Sequence, residues 1–267
     1  MLPNAKPFEL VLSYPQWQGS GRFVNLRRGA EAVAEVCGRF GPLMSIRDAG
    51  EGEAKSGINR WTSILDQFRS AQRILADVRP RTVLTAGGDC GCDVAVIDYL
   101  HGIYPALTVV WIDAHLDANT AETSPSGNFH GMPVSSIMGS APEEMRPLLS
   151  APLPPSQFRY VSAHRGDEGD WAFQREHRLS WLDHDELLAG PIHIHFDLDA
   201  LDPAEFPHIA FPEGKLSVDA GLALVRKISA EANLVGLTIT EFAPADSAGA
   251  RDGSDLILKL CEAACLQ

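Results

Sequence analysis

Short apolar runs alternate with amphipathic segments along almost the whole chain, and this alternation limits the possible folds most strongly. The apolar runs predict strands at Glu9 to Ser13, Thr82 to Ala86, Thr108 to Ile112, Phe158 to Ser162, Ile192 to Phe196 and Val235 to Thr240. The amphipathic segments predict helices at Arg28 to Phe40, Gly57 to Val78, Asp93 to Gly102, Val218 to Ala232 and Asp252 to Cys265. Strands that alternate with helices indicate an α/β fold, with a parallel sheet covered by helices on both faces.

Length and charge narrow the class of protein. A chain of 267 residues fits one large α/β domain, and we find no repeat or linker. The Pro-rich stretch Ala151 to Ser156 is typical of a surface loop. A net charge of −13 argues against a nucleic-acid or anionic-membrane partner. The same charge suits a cationic substrate or a metal ion.

Three further absences predict a cytoplasmic location. The first residues, MLPNAKPFEL, lack the basic and apolar regions of a signal peptide. No segment approaches the roughly 18 apolar residues of a membrane span. The cysteines number five, and an odd count in a chain of this size argues against a disulfide framework.

Polar motifs directly follow three of the predicted strands. They are Gly87-Gly88-Asp89-Cys90-Gly91, Asp113-Ala114-His115-Leu116-Asp117 and Asp197-Leu198-Asp199-Ala200-Leu201-Asp202-Pro203. In a parallel sheet these segments leave the strands at the same carboxyl edge, which is where open α/β folds bind their ligands. We therefore expect the motifs to meet at one site.

The spacing within the motifs indicates a metal centre. Residues two apart on extended backbone share a side, so Asp113, His115 and Asp117 can converge. Asp197 and Asp199 can do the same from another strand. Carboxylates this close repel one another unless a cation lies between them. Oxygen ligands with an imidazole suit Mn²⁺, with Zn²⁺ or Fe²⁺ as alternatives, and two ions that share carboxylates would explain the number of acids.

Each motif also has an alternative interpretation. Asp-x-His-x-Asp occurs in surface turns, and Asp-x-Asp-x-x-Asp-Pro can cap a helix because aspartate is favoured there. Both motifs follow apolar strand-like runs, which surface charge clusters seldom do. Together they favour the metal centre.

The ordered set of motifs resembles the signature of the arginase (ureohydrolase) family, which includes arginase, agmatinase and formiminoglutamase. His130-Gly131-Met132-Pro133 adds a further matching motif, and the likeness extends from the segment Gln18 to Arg27 through Glu241. The resemblance implies a single domain over residues 1–267, built as a three-layer α/β/α sandwich with a central parallel sheet. It also implies two Mn²⁺ ions at the carboxyl edge and a homo-oligomer, either a trimer or a hexamer.

The resemblance assigns the metal ligands as well. It implies Asp113 and Asp197 as bridges between the ions, Asp117 on the first ion, and His115 and Asp199 on the second. The remaining ligand of the first ion is a histidine in the family, and Cys90 occupies that position here. A thiolate suits Mn²⁺ less well than imidazole does, so the first ion can be weakly held, absent or replaced by a softer one. Cys90 can alternatively be a small buried packing residue.

The implied reaction is hydrolysis of a guanidino group. Metal ions lower the pKa of bound water towards neutrality and so supply a nucleophile. Asp117 would orient that nucleophile and accept its proton, and His130 would protonate the leaving amine. Glu241 would hold the guanidinium through a charge-assisted hydrogen bond. Taken alone, His130 is also typical of a surface loop, and Glu241 of a capping carboxylate.

The loop after the second motif indicates the substrate. Its polar residues Asn119, Ser126 and Asn128 match those that bind the α-carboxylate of arginine in arginases, although they are also common turn formers. We choose Glu168 for the α-amino contact, from a segment in which Asp167 and Asp170 are alternatives. The small-molecule substrate is then L-arginine, giving ornithine and urea, or Nω-hydroxy-L-arginine, giving ornithine and hydroxyurea.

Other functions and residues stay open. A degenerate family member could bind metal or an amino acid without catalysis, agmatinase or formiminoglutamase activity remains an alternative, and metal-dependent deacetylases have a similar fold. His193 and His195 alternate along a predicted strand, and we expect packing or a hydrogen bond behind the site rather than ligation. Cys92 is expected to pack in the core, and His208 lies in a loop that can rim the pocket.

Overall fold

A computed structural model describes residues 8–21, 23–183 and 186–265. The strands are β1 (Leu10–Tyr14), β2 (Leu43–Ser45), β3 (Val83–Gly87), β4 (Thr108–Ile112), β5 (Phe158–Val161), β6 (Ser180–Trp181), β7 (Pro191–Asp197) and β8 (Asn233–Thr240). The helices are α1 (Asn25–Cys37), α2 (Trp61–Val78), α3 (Asp93–Ile103), the single turn α4 (Pro133–Ser135), α5 (Glu168–His177), α6 (Val218–Glu231) and α7 (Ser247–Ala264).

The strands form one parallel sheet in the order β2-β1-β3-β8-β7-β4-β5-β6. Strands β3 and β7 flank β8, and β4 lies on the other side of β7. The carboxyl ends of the three strands that precede the polar motifs therefore lie close together. The predicted α/β fold with a central parallel sheet is confirmed.

The sheet separates two apolar layers. Along β4, Val109 and Trp111 pack with the apolar side chains of α2 and α3, whereas Val110 and Ile112 pack with those of α1, α6 and α7. Successive side chains on a strand point to opposite faces, so a strand buried on both sides is apolar throughout. The resulting helix–sheet–helix arrangement is the expected three-layer sandwich.

Strands β2 and β6 and helix α5 were not predicted from the sequence, and helix α7 begins earlier than predicted. Strands β2 and β6 are short and consist of exposed residues, so they carry no apolar run. Helix α5 begins at a capping box in which the Asp167 side chain accepts from the Gly169 and Asp170 amides. Helix α7 begins at Ser247 rather than at Asp252, because the Asp246 side chain accepts from the Ala248 and Gly249 amides.

The sequence also predicts a surface loop at the Pro-rich stretch and no membrane-spanning segment. Leu153 is the buried residue of the Pro-rich stretch Ala151 to Ser156, and the rest of that stretch is partly or fully exposed. No helix within the described ranges combines the length and the apolar character needed to cross a membrane. Residues 1–7, which belong to the segment MLPNAKPFEL, lie outside the described part of the chain.

Candidate metal centre and active site

A cavity of about 810 Å³ opens at the carboxyl edge of the sheet. From the strand-end loops it is lined by Cys90, His115, Asp117, Asp197, Asp199 and Glu241. From the loop after β4 it is lined by Asn119, Ser126, Asn128 and His130. Among the described residues, the predicted site residues that are absent from its wall are Asp113, which is fully buried beneath it, and Glu168.

Asp113, His115 and Asp199 form one group of possible metal ligands, with one ligand atom from each within 4.8 Å of the others. The Nδ1 atom of His115 lies 3.3 Å from Oδ1 of Asp113 and 3.3 Å from Oδ2 of Asp199. The other ring nitrogen of His115 lies 3.1 Å from Oε2 of Glu213. An imidazole held between two carboxylates and oriented by a third is suited to a divalent ion.

A second group consists of Cys90, Asp113, His195 and Asp197, whose ligand atoms also lie within 4.8 Å of one another. The Cys90 thiol donates to Oδ2 of Asp197 over 2.8 Å, and Cys90 is buried. Asp113 belongs to both groups. Asp117 lies in the cavity wall but in neither group found within the described ranges.

Short local hydrogen bonds fix the carboxylates that the motifs supply. The His115 amide donates to Oδ1 of Asp113 over 2.7 Å, and the Asp199 amide donates to Oδ1 of Asp197 over 2.6 Å. The Trp111 indole donates to Oδ2 of Asp113 over 2.9 Å. The Asp-x-His and Asp-x-Asp spacings therefore create turns. In each turn the carboxylate of the first aspartate accepts a hydrogen bond from the backbone amide of the residue two positions later.

Burial makes this group of acids costly without a cation. Burial raises the pKa of Asp197, helped by Asp199 and Asp113, and raises that of Asp199 to about 6. Burial alone would lower the pKa of His115, but the carboxylates of Asp199 and Asp113 outweigh it and raise this pKa. Oδ1 of Asp199 and Oε2 of Glu241 are buried with no hydrogen-bond partner in the described structure. Such oxygens fit a site for a bound cation.

Asp89 has a structural position rather than a ligand position. Its carboxylate accepts from the Gln16 side chain over 2.8 Å, from the Gly19 amide over 2.7 Å and from the Gly91 amide over 3.0 Å. Gly88 leaves no room for a Cβ atom against the Gln16 carbonyl. The Gly-Gly-Asp motif thus ties the segment after β1 to the loop that carries Cys90.

Backbone strain marks two of the predicted catalytic residues. Asp117 and Glu241 adopt left-handed φ angles of 49° and 59°. This conformation costs a residue other than glycine roughly 1–3 kcal/mol and is found where the surrounding structure imposes it. The Glu241 amide is anchored by donating to the Gly88 carbonyl over 2.8 Å.

His130 and Glu241 are neighbours in the cavity wall. Nδ1 of His130 lies 3.9 Å from Oε1 of Glu241. Burial lowers the pKa of His130 to about 4, and the neighbouring His115 adds to this effect. The Phe211 ring lies 5.1 Å from the His130 ring and 5.9 Å from that of His115, measured between centroids.

The polar loop after β4 is held in place by its own side chains. The Asn119 side chain donates to Oδ2 of Asp167 over 3.1 Å, and Oδ1 of Asn128 accepts from the Asn59 side chain over 2.8 Å. The Ser126 hydroxyl accepts from the Asn128 amide over 3.2 Å. Asn119, Ser126 and Asn128 all line the cavity.

The structure does not bring Glu168 to this cavity. Its side chain is 88% exposed and accepts from Arg175 over 2.9 Å. Asp167 and Asp170 line the cavity instead, because Asp167 is the N-cap of α5 while Glu168 is the first residue of the helix and faces outwards. Asp170 is fixed by the Ala118 amide, which donates to it over 2.8 Å.

Several residues of the cavity wall were not predicted from the sequence. Phe211, Glu213 and Arg165 line the cavity, and Oε1 of Glu213 lies 3.4 Å from Nε of Arg165. They come from irregular loops without a recognisable spacing, so the sequence offered no signal for them. His208 pairs with Asp252 over 2.8 Å and lies away from the described cavity wall.

Comparisons with known proteins give the family. The model of the "Arginase family" matches residues 26–266. The arginase of Saccharomyces cerevisiae is 30% identical over 192 residues, a match that covers 61% of this chain and 57% of that protein. The chain thus spans only a little over half the length of this relative.

Solved structures agree on the fold. The arginase of Bacillus caldovelox has a TM-score of 0.84 at 22% identity, with 98% of this chain and 99% of that chain covered. The arginase of Entamoeba histolytica, solved in complex with L-ornithine, has a TM-score of 0.83 at 20% identity and covers 98% and 100% of the two chains. Together with the family match over nearly all of its length, the fold and the strand-end motifs show that this chain belongs to the arginase family.

Proposed function

We propose that this protein is a metal-dependent amidinohydrolase that uses water to cleave the guanidino group of an arginine-like amino acid. The observation that carries the proposal is the position of Asp113, which belongs to both groups of candidate ligands. One carboxylate shared between two groups can hold a pair of neighbouring ions. Mn²⁺ is our first choice of ion, with Zn²⁺ or Fe²⁺ as alternatives.

Bound ions would lower the pKa of a water molecule and so supply the nucleophile that attacks the guanidino carbon. Around them, the protein supplies the remaining chemistry. Oε2 of Glu241 is buried and has no hydrogen-bond partner among the described residues. Glu241 can therefore hold the guanidinium through a charge-assisted hydrogen bond. Asp117 accepts the proton of the attacking water. Because its pKa is lowered to about 4, the His130 ring is neutral at neutral pH. It can pass its ring proton to the nitrogen that leaves as the C–N bond breaks while its other ring nitrogen takes one up.

The other end of the cavity is suited to an amino acid. Ser126, Asn119 and Asn128 provide uncharged polar groups that can bind an α-carboxylate. Asp167, which lines the cavity, takes the α-amino contact in place of Glu168. Because agmatine has no carboxylate, this end of the cavity favours an amino acid over agmatine.

Cys90 leads us to propose Nω-hydroxy-L-arginine as the preferred substrate, with L-arginine as the alternative. If the hydroxyl of hydroxyarginine took the place of the reactive water on the bound ions, the compound would act as an inhibitor rather than as a substrate. A cysteine in the first metal site changes the charge and softness of that site. We propose that this weakens the inhibitory binding mode and permits turnover.

The test is product formation by metal-free protein after titration with Mn²⁺, Zn²⁺, Fe²⁺ or Co²⁺. We expect metal-dependent release of ornithine together with hydroxyurea or urea, and no product from agmatine. A higher kcat/KM on unmodified arginine would contradict the hydroxyarginine proposal. No product with any ion, combined with a Tm raised by arginine only when metal is present, would favour a binding protein without catalysis.

We also propose that residues 1–267 form one domain and that the protein assembles as a trimer or hexamer. The single sheet supports the first point, and the second comes from the family resemblance alone. Light scattering coupled to size-exclusion chromatography gives the mass directly. A monomeric mass would contradict the proposed assembly.

A further inference from the structure

We propose that His195 is a ligand of the first metal ion, so that this ion is held by Cys90, Asp113, His195 and Asp197. The inference deepens the proposed function and rests on it. The position after Gly-Gly-Asp carries Cys90 rather than a histidine. In this proposal the first site still has an imidazole ligand, which comes from strand β7.

The position of His195 on β7 places it beside the ligands. It precedes Asp197 by two residues, so both side chains lie on the same face of the strand. Its ring is fully buried, and one ring nitrogen lies within 4.8 Å of ligand atoms of Cys90, Asp113 and Asp197. Nε2 of His195 lies 3.3 Å from the Thr240 hydroxyl, which itself lies 3.6 Å from Sγ of Cys90.

Asp93 prepares the ring for ligation. Nδ1 of His195 lies 2.8 Å from Oδ2 of Asp93. A carboxylate only accepts, so the hydrogen is on Nδ1, and in the neutral ring Nε2 keeps its lone pair. The Thr238 hydroxyl donates to the other oxygen of Asp93 over 2.6 Å. A carboxylate behind one ring nitrogen is the usual support of a histidine whose other nitrogen binds a metal.

Trp111 fixes the plane of the ring and links it to a second ligand. The Trp111 and His195 rings stack with centroids 3.5 Å apart and planes at 3°. The indole of Trp111 also donates to Oδ2 of Asp113 over 2.9 Å. One side chain therefore positions two members of the ligand group.

His193 provides a comparison within the same strand. It is also fully buried and also lies 2.8 Å from Oδ2 of Asp93. It belongs to neither of the ligand groups formed by the described residues. The hydrogen bond to Asp93 is thus common to both histidines, whereas closeness to Cys90, Asp113 and Asp197 distinguishes His195.

The donor set predicts which ion prefers this site. A thiolate, an imidazole and two carboxylates form a softer set than the carboxylates and imidazole of Asp113, His115 and Asp199. We therefore expect the first site to bind Zn²⁺ or Co²⁺ more tightly than Mn²⁺. Co²⁺ is a useful probe because a Co²⁺–thiolate bond gives a charge-transfer absorption that only the site of Cys90 can produce.

Two matched variants test the role of His195 in the full-length protein. His195→Asn keeps an amide nitrogen near the Nδ1 position, facing Asp93, and removes Nε2. His193→Gln keeps a nitrogen near the Nε2 position that faces the same carboxylate. Co²⁺ titration of metal-free protein gives the affinity from the charge-transfer band and the stoichiometry from elemental analysis.

We expect His195→Asn to weaken Co²⁺ binding at the Cys90 site by more than ~10-fold. Loss of a hydrogen-bond partner behind a ligand already costs about that much, and loss of the ligand itself should cost more. His193→Gln should bind Co²⁺ as the wild type does. Equal Co²⁺ affinity in the two variants would overturn the role of His195, even if turnover persists. Absence of the thiolate band from a wild type that binds Co²⁺ would also overturn it.

A measurement on the wild type covers the case in which His195→Asn does not fold. Proton NMR of the Co²⁺ protein shows a strongly shifted exchangeable signal for each ligated imidazole. We expect two such signals, from His115 and His195, with one remaining in His115→Asn. A single signal in the fully loaded wild type would overturn the inference. A wild type that binds no divalent ion would contradict the proposed function itself.

Discussion

The thiol of Cys90 donates a hydrogen bond of 2.8 Å to Oδ2 of Asp197, across a gap of 107 residues in the sequence. The two residues follow β3 and β7, which flank β8 in the sheet. Thr240, at the end of β8, lies beside this pair, with its hydroxyl 3.6 Å from Sγ of Cys90. Strand order thus places a cysteine among the candidate metal ligands.

We expect Cys90→His to change the metal content and the substrate preference. An imidazole in place of a thiol suits Mn²⁺ better, so Mn²⁺ bound per chain should rise and the ratio of kcat/KM should move towards arginine. Elemental analysis and steady-state kinetics on both compounds measure this. Cys92→Ala is the control, because Cys92 is equally buried but belongs to neither ligand group of the described residues. Unchanged stoichiometry and ratio would remove Cys90 from the site.

Metal-free protein should lose stability as the pH rises through the range in which Asp199 ionises. Its pKa is raised in the folded state from 3.8 to about 6, so the folded state binds the proton more tightly than the unfolded state. The contribution is complete below the unfolded pKa and is lost as pH rises through the folded one. Tm measured between about pH 4 and pH 7 should therefore fall with pH.

Asp199→Asn is the control for this pH dependence. The variant lacks the titrating group, so its metal-free Tm should vary less over the same pH range. With saturating metal the wild type should also lose the downward slope, since the ion stabilises the ionised carboxylate. A metal-free Tm slope that is identical in wild type and variant would show that Asp199 does not titrate as its burial implies.

Asp167→Asn should raise KM by about 10–100-fold, the effect of a lost charge-assisted hydrogen bond. Asparagine is as good an N-cap as aspartate, so α5 should remain folded. Glu168→Gln removes the neighbouring charge, which faces solvent, and should leave KM unchanged. A larger effect of Glu168→Gln would restore the choice made from the sequence.

His130→Asn should lower kcat by about 10²–10⁴-fold, the usual contribution of a positioned acid or base. Metal content should remain that of the wild type, because His130 lies in neither ligand group of the described residues. His208→Asn serves as the matched substitution, since His208 pairs with Asp252 away from the cavity. Loss of metal together with activity in His130→Asn would argue for a structural role.

The features of the site that could be predicted from the sequence depend on residues close to one another in the chain. The strands that precede Asp113 and Asp197 were predicted from their apolar runs, and turn geometry follows from the spacing of the motifs. Asn119, Ser126 and Asn128 came from the resemblance, and the structure brings all three to the cavity wall. Glu168 did not come to the cavity, because the capping box that starts α5 decides which of three neighbouring acids faces inwards.

The sequence by itself determined the α/β class, the parallel sheet and the loops that carry the motifs, because apolar periodicity and turn chemistry act over a few residues. Only the tertiary structure decided that His195 lies among Cys90, Asp113 and Asp197, and that Phe211 and Glu213 reach the cavity. These distances depend on the order of strands in the sheet and on the path of irregular loops. Residues far apart in sequence become neighbours only when the whole sheet is assembled.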